Sequence, residues 1–474
     1  MAVGRDRAAG RLDRPLAALL LGVMGGELVH LALASTAVGR LVDIGVLAVA
    51  FVAAPRFGLR EAYLLTLCAG LAVLAFAVAP DPAAVIWTAL DQAAFLMAFI
   101  LLVGLIQQAG VTSTAVKECG LYLTRQPAGR RYFAIFLGAN SMAQLFNLGV
   151  VSLLTPLIRR GGEGGDPALR PIRERRQLNA MLRGFAWAVV WSPTAVAPVV
   201  LATLLPAAER GPWMAVGLAL AALVMMIGWA EDRWAHRKLR RRLVAAAPAE
   251  APPFPRAAFG RFLIVCLTLL AITLAAMFAF DRSVVFGLMV ASPLILVGWL
   301  IFQNGGPVAA AIPPTRRRLA EIGADYLPAA APLAVTLACS GFVGRAAAAL
   351  IPTEAWAEAL GIAAMPGWLF LLSLSVGVAT LSQFALSPIM MAVFFGGLIA
   401  ELPMLPADVT WAALAISCGW GLSMTISPFA TIVLMIQGMT DRSGREMTWA
   451  WNWRFTFLCV AALGAVYYAL TGGR

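Results

Sequence analysis

Charge is what this 474-residue sequence has least of: Asp, Glu, Lys and Arg make up 13% of it, where a soluble domain carries about a quarter. With 61% hydrophobic residues and a mean hydropathy of +0.84, this excludes a soluble multidomain protein. Histidine is scarcer still, at His30 and His236 alone, so no histidine-rich metal centre is expected. Cys68, Cys119, Cys266, Cys339, Cys418 and Cys459 lie far apart and form no CxxC or Cys/His pair. They read as reduced packing residues. The net charge of +12 comes from arginines in short blocks between apolar runs, not along one face, which argues for a topology code and against a nucleic-acid partner. Arg5, Arg7, Arg11 and Arg14 precede an apolar run as in a signal peptide, but no cleavage site followed by a polar domain appears. The segment reads as a first transmembrane helix.

What the sequence does have is apolar runs of about 18 to 25 residues, the length that crosses a hydrocarbon core of roughly 30 Å. Ordinary spans are expected at 15–34, 38–55, 62–80, 86–109, 212–230, 259–280, 283–303, 328–350 and 449–471. Two further regions, 176–206 and 408–437, are interrupted by Ser192-Pro193 and Ser427-Pro428, and proline opens the helical ladder there. They read as broken helices. The stretches 131–158 and 366–400 carry polar residues at their middles and read as re-entrant hairpins. The expected fold is thus an all-α polytopic membrane protein of about 11 spans.

Arginine-rich loops stay cytoplasmic. Basic loops and the acidic loops at 80–84, 351–365 and 401–408 alternate in side only if both hairpins return to the side they entered from. That parity predicts a multi-pass inner-membrane protein with its N-terminus in the cytoplasm and its C-terminus outside. It also has the hairpins entering from opposite faces, as an inverted repeat requires. Ser192-Pro193-Thr194-Ala195 matches Ser427-Pro428-Phe429-Ala430, and Phe146-Asn147-Leu148 has a counterpart in Leu386-Ser387-Pro388. The first repeat is taken as 1–230, the second as 259–474, and the basic stretch 231–258 between them as a cytoplasmic linker with a weak attraction to anionic lipid.

Non-helical backbone at membrane depth is tolerated only inside protein or around a water-filled cavity, so four interruptions in matching positions point to one central site. Its candidate solute- and ion-binding residues are Asn140, Ser141, Gln144, Asn147 and Gly149 at the first hairpin, and Ser382, Gln383, Ser387 and Pro388 at the second. The breaks add Ser192, Pro193 and Thr194, then Ser423, Thr425, Ser427 and Pro428. Half-helix N-termini there favour an anion and unwound carbonyls a cation. The competing reading of any one serine is helix-packing glue.

These motifs resemble the ion-transporter superfamily, which includes divalent-anion:sodium symporters, arsenite efflux permeases and the large subunits of tripartite dicarboxylate transporters. In that pattern a helix ending like Leu101 to Gly110 leads through a basic segment to a hairpin tip and an apolar run closed by proline. Here that order is Phe146-Asn147-Leu148 and Pro156, repeated as Ser340 to Arg345, Leu386-Ser387-Pro388 and Ser427-Pro428. The resemblance implies alternating access, a homodimer and binding residues at the tips. In sodium-coupled relatives the serine and threonine of each tip help bind the ion. This chain keeps the asparagine at one tip and a serine at the other, which moves the expectation away from sodium and toward proton coupling or no ion coupling.

Ionisable residues at membrane depth are costly unless used. Glu27 and His30 share one helix face and are candidates for proton coupling, although both lie near a span end and could reach the interface. Asp43 and Asp91 read as helix-end residues facing water, and Trp213, Trp229, Trp449 and Trp453 as interfacial belts. The expected function is a secondary active transporter, not an enzyme, for a small anionic solute such as a carboxylate or oxyanion. No cofactor is expected beyond a coupling ion, proton or sodium. Alternatives are the permease subunit of a tripartite transporter working with a solute-binding protein, and an integral membrane enzyme acting on a lipid-linked substrate.

Overall fold

The structure, a computed structural model, describes residues 2–127, 129–161, 169–237, 252–305, 307–359, 361–402 and 404–473. All regular structure among them is helical. In chain order the helices are α1 (Ala2–Leu33), α2 (Thr36–Ala53), α3 (Leu59–Val78), α4 (Pro82–Thr112), α5 (Thr114–Thr124), α6 (Arg131–Phe146), α7 (Gly149–Gly161), α8 (Arg170–Ala188), α9 (Val196–Leu204) and α10 (Arg210–Ala235). They continue as α11 (Arg256–Phe280), α12 (Val284–Asn304), α13 (Val308–Glu321), α14 (Leu327–Leu350), α15 (Thr353–Ala359), α16 (Gly367–Leu381), α17 (Pro388–Glu401), α18 (Val409–Ile426), α19 (Thr431–Met439) and α20 (Trp451–Leu470). A π-turn at Ile322–Tyr326 joins α13 to α14 as one 43-residue run. Half of the expected linker, residues 238–251, lies outside the described residues.

Several starts are written in the sequence. Asp81 accepts a hydrogen bond from the Ala84 amide and is followed by Pro82, the pairing that opens α4. Ser387 and Pro388 open α17 in the same way, with the Met390 amide donating to the serine at 3.4 Å. By length and composition 11 helices can cross a membrane. The number is the expected one, but the membership differs: Gly367–Phe384 qualifies and residues 176–206 do not. The reason is composition, since α8 opens with Arg170, Arg173, Glu174, Arg175 and Arg176 and carries Arg183 further in.

The chain forms two compact units, Met1–Ser113 with Leu263–Pro352, and Thr114–Phe262 with Thr353–Arg474. The first unit centres on α4 against α14, with α1, α2, α3 and α12 packed around them. Polar bonds fix its helix ends: Arg56 pairs with Asp13 and donates to the Pro328 carbonyl at 2.9 Å, while the Thr336 hydroxyl donates to Glu61 at 3.3 Å. A roughly 320 Å³ apolar cavity lies among α2, α3, α4 and α14, bordered by Cys68, Met97, Cys339 and Phe342. Two ionisable residues depart from expectation here. Glu27 does not reach water, and neither does Asp43: they are 1% and 2% exposed. The cause is packing, because α1 lies along α2 with Gly26 against Val42 and Gly39 against the His30 ring, so the faces holding both acids are closed. Asp91 does face solvent in part.

The second unit holds both helix hairpins, α6–α7 and α16–α17, and both broken helices, α8/α9 and α18/α19. Helix α6 packs along α8 and α16 along α18, while α8 packs on α18. The short arms cross-pair: α9 lies on α17 and α19 on α7. Close approach in the two equivalent pairs depends on glycine. A Cβ at Gly184 would strike the Phe136 carbonyl, and one at Gly419 would sit 2.7 Å from the Ser375 carbonyl oxygen.

Candidate solute site at two helix breaks

Each break begins as a helix that runs out of amide donors at a proline. Ser192 still donates its amide to Ala188 at 3.0 Å, and Ser427 to Ser423 at 2.9 Å. Pro193 and Pro428 follow and cannot donate. The serine hydroxyl then accepts from the backbone two residues on, from Thr194 N in one break and Phe429 N in the other, at 3.3 Å in both. A serine carbonyl closes each turn, accepting at 3.2 Å from Ala195 N and from Ala430 N. Two segments 235 residues apart in sequence thus fold into one local structure, a serine turn that satisfies the backbone before the chain re-enters a helix.

Both breaks are tied to the hairpin of their own half. The Thr194 hydroxyl donates to the Gln144 carbonyl at 2.7 Å, and the Ser427 hydroxyl donates to the Ser382 carbonyl at 2.7 Å. Ser192 and Thr194 hydroxyls lie 2.9 Å apart. Asn140 donates to the Gly184 carbonyl at 3.0 Å, and Gln144 to the Asn140 carbonyl at 3.2 Å. Each hairpin tip turns on a residue in the left-handed region, Asn147 at φ 44° and Ala385 at φ 62°. Such backbone is uncommon away from glycine and clusters at functional turns.

The expected site residues therefore separate into groups. Gln144, Thr194, Ser382 and Ser427 meet across hairpin and break, and Ser192 joins them through Thr194. Asn147, Gly149, Ser387 and Pro388 form the tips and the helix starts beyond them. Ser423 and Thr425 donate to the carbonyls of Trp420 and Leu422 in their own helix, the ordinary role of a buried hydroxyl in a membrane helix. Ser141 is exposed, as is Pro193, and Gln383 accepts from the Trp449 indole at 3.0 Å.

Sequence reasoning misplaced one residue and passed over another. Trp213 is fully buried rather than interfacial, and its indole donates to the Val190 carbonyl at 3.2 Å, an acceptor beside the first break. Arg183, 1% exposed, sits at the middle of a polar network: it donates to Asn452 at 2.8 Å and Glu231 at 3.0 Å, and its guanidinium lies 4.0 Å from the Phe455 ring centroid. An arginine inside an otherwise apolar stretch was the available signal for it.

The hairpin and broken-helix segments are one-sided in charge. No Asp or Glu occurs in 131–161, 177–206, 367–400 or 409–439. Among side-chain groups there that are sealed from solvent without a partner, donors outnumber acceptors: the Asn147 amide nitrogen and the indole nitrogens of Trp187, Trp191 and Trp420 stand against Gln177 Oε1 and the Ser417 hydroxyl. Four helices, α7, α9, α17 and α19, begin at tips or breaks. Helix starts carry free amides and partial positive charge, so the arrangement is suited to an anion.

No family model and no curated protein matches the chain. Among solved structures, the crystal structure of the Alcanivorax borkumensis YdaH transporter, whose topology is described as unusual, aligns with it at a TM-score of 0.54 and 14% identity, over 88% of this chain and 98% of that one. The chain has the fold of a membrane transporter. At that identity the likeness concerns the fold alone, and the resemblance to the ion-transporter superfamily stands on the motifs at the tips and breaks.

Proposed function

We propose that the protein is a secondary active transporter that carries a small anionic solute, a carboxylate or an oxyanion, by alternating access. The solute site is formed by the hairpin tips at Asn147 and Ser387 and the breaks at Ser192 to Thr194 and Ser427-Pro428. The observation that carries this reading is the pairing of acid-free hairpin and broken-helix segments with sealed, unpartnered donors and four helix starts. An anion supplies the acceptors such donors lack. In this reading the hairpins re-enter the inner membrane from opposite faces, the two halves form an inverted repeat, the protein works as a homodimer, and transport is coupled to an ion.

Thermal-shift measurements on purified protein with carboxylates, sulfonates and inorganic oxyanions, with and without sodium, identify the solute class. Uptake of the best ligand into proteoliposomes then falls in Asn147→Ala and in Ser387→Ala by about tenfold each, the equivalent of ~1.4 kcal/mol of lost binding. Unchanged uptake in both variants removes these residues from the site.

A further inference from the structure

His30, Asp43 and Asp91 border a cavity of about 250 Å³ in the first unit, on three different helices, with Glu27 buried nearby. Its lining includes His30 from α1, Thr36, Arg40 and Asp43 from α2, and Trp87 and Asp91 from α4. Asp43 is 2% exposed, borders the cavity, and has one oxygen, Oδ1, with no donor; its other oxygen lies 3.6 Å from Arg40. Arg40 is itself held by Trp87, with 4.1 Å between guanidinium carbon and ring centroid. Glu27 is 1% exposed, its Oε2 is likewise unpartnered, and it lies within electrostatic reach of Asp43 and Asp91. His30 Nε2 is 3.4 Å from Asp91 Oδ1, and its Nδ1 is 2.9 Å from the Ser35 carbonyl.

We propose that Asp43, together with Glu27, His30 and Asp91, forms a proton-binding site that exchanges with solvent through the cavity. Three carboxyls face one arginine and one imidazole, so acid is in excess. A sealed carboxylate oxygen with no donor is unfavourable as an anion, and a proton relieves this without needing a coordination shell. A metal ion suits the cluster less, since among the described residues no group of three or more His, Cys, Asp or Glu converges as ligands would. Asp91, 56% exposed, gives the entry. A proton from water reaches the Asp91 carboxylate or His30 Nε2 and passes to a carboxylate oxygen of Asp43 or Glu27; release runs the same path backward, and no other bond changes. Of the other elements packed on α1 and α2, α12 has no charged residue, α14 has Arg345, the π-turn has Asp325, and the 3-10 turn Ala54–Arg56 has Arg56, which pairs with Asp13. Use of this site to drive solute movement rests on the transporter reading; proton binding itself does not.

The test is infrared spectroscopy of the full-length protein in liposomes, following the C=O stretch of protonated carboxyls against pH with no solute present. The wild type shows a band that grows as pH falls, and Asp43→Asn and Glu27→Gln each lose a distinct part of it. His30→Gln, which leaves every carboxyl in place, keeps the band and shifts its midpoint. A band unchanged in both acid variants overturns the proposal, as does a wild-type band abolished by added sodium at fixed pH, which marks a metal-cation site. If an acid variant fails to fold, the wild-type titration and the His30→Gln shift still decide, because a midpoint indifferent to His30 refutes the cluster. A negative ligand screen with an intact titrating band counts against the solute site and leaves this one standing.

Discussion

Two hydroxyls carry much of the organisation at the breaks. Thr194 and Ser427 each donate outward to a hairpin carbonyl, and each serves a backbone group that the broken ladder leaves in need of a partner. Thr194→Val and Ser427→Ala should each lower stability in detergent by about 1–3 kcal/mol, the cost of leaving a buried acceptor unsatisfied, with Thr194→Ser close to wild type. Denaturation midpoints read this directly. Arg183 is the more severe case. Truncation to alanine strips Glu231 and Asn452 of their charged partner in an enclosed network, so Arg183→Ala should cost about 3–5 kcal/mol and reduce folded yield. Arg183→Lys retains the charge but not the fork that reaches both partners, and falls between.

At the scale of elements, the second unit is built from two copies of one motif, a hairpin packed on a broken helix. The contact between the long members is close enough that Gly184 and Gly419 face carbonyl oxygens of the neighbouring helix. Gly419→Val should separate α16 from α18 and destabilise the protein by about 1–3 kcal/mol, the usual cost of overpacking, which a thermal melt would register; wild-type stability would show that the helices can shift freely. The breaks themselves were legible because Ser-Pro is a local signal, acting on its own backbone within three residues. The tips were legible as polar interruptions of apolar runs. What no local signal carries is which arm rests on which: α9 on α17 and α19 on α7 are contacts between segments about 190 and 280 residues apart, and helices apolar on nearly every face have no stripe to announce a partner. The same blindness misplaced Asp43 and Glu27. Position near a span end says that water is close along the helix axis and nothing of the neighbour that closes the side, here Gly26 and Gly39 letting α1 and α2 meet.

For the whole molecule, each compact unit draws on both halves of the chain, so the repeat expected from the sequence and the structural units cut the protein differently. Residues 1–230 are not one unit, and a fragment ending there would lack α12 and α14 from the first unit and α16 to α20 from the second. Expression of 1–237 alone, which keeps Glu231 and the end of α10, should yield aggregated or degraded protein, whereas co-expression with 252–474 should recover a folded pair; gel filtration of the two preparations distinguishes the outcomes. Topology is testable at the same scale. The distribution of arginine predicts a cytoplasmic N-terminus and an external C-terminus, in which case reporter fusions active only on one side of the membrane should score the two ends oppositely. Equal signals at both ends would require an even number of crossings and so reassign one hairpin as a full span.

The serine turns at Ser192 and Ser427 close through their own backbone amides and hydroxyls. If the proposed solute binds there, turns held by their own hydrogen bonds need little ordering on binding, so more of the contact energy would survive as affinity. Selection among solutes would then fall to shape, with poor fits rejected because the turns have few other conformations to offer.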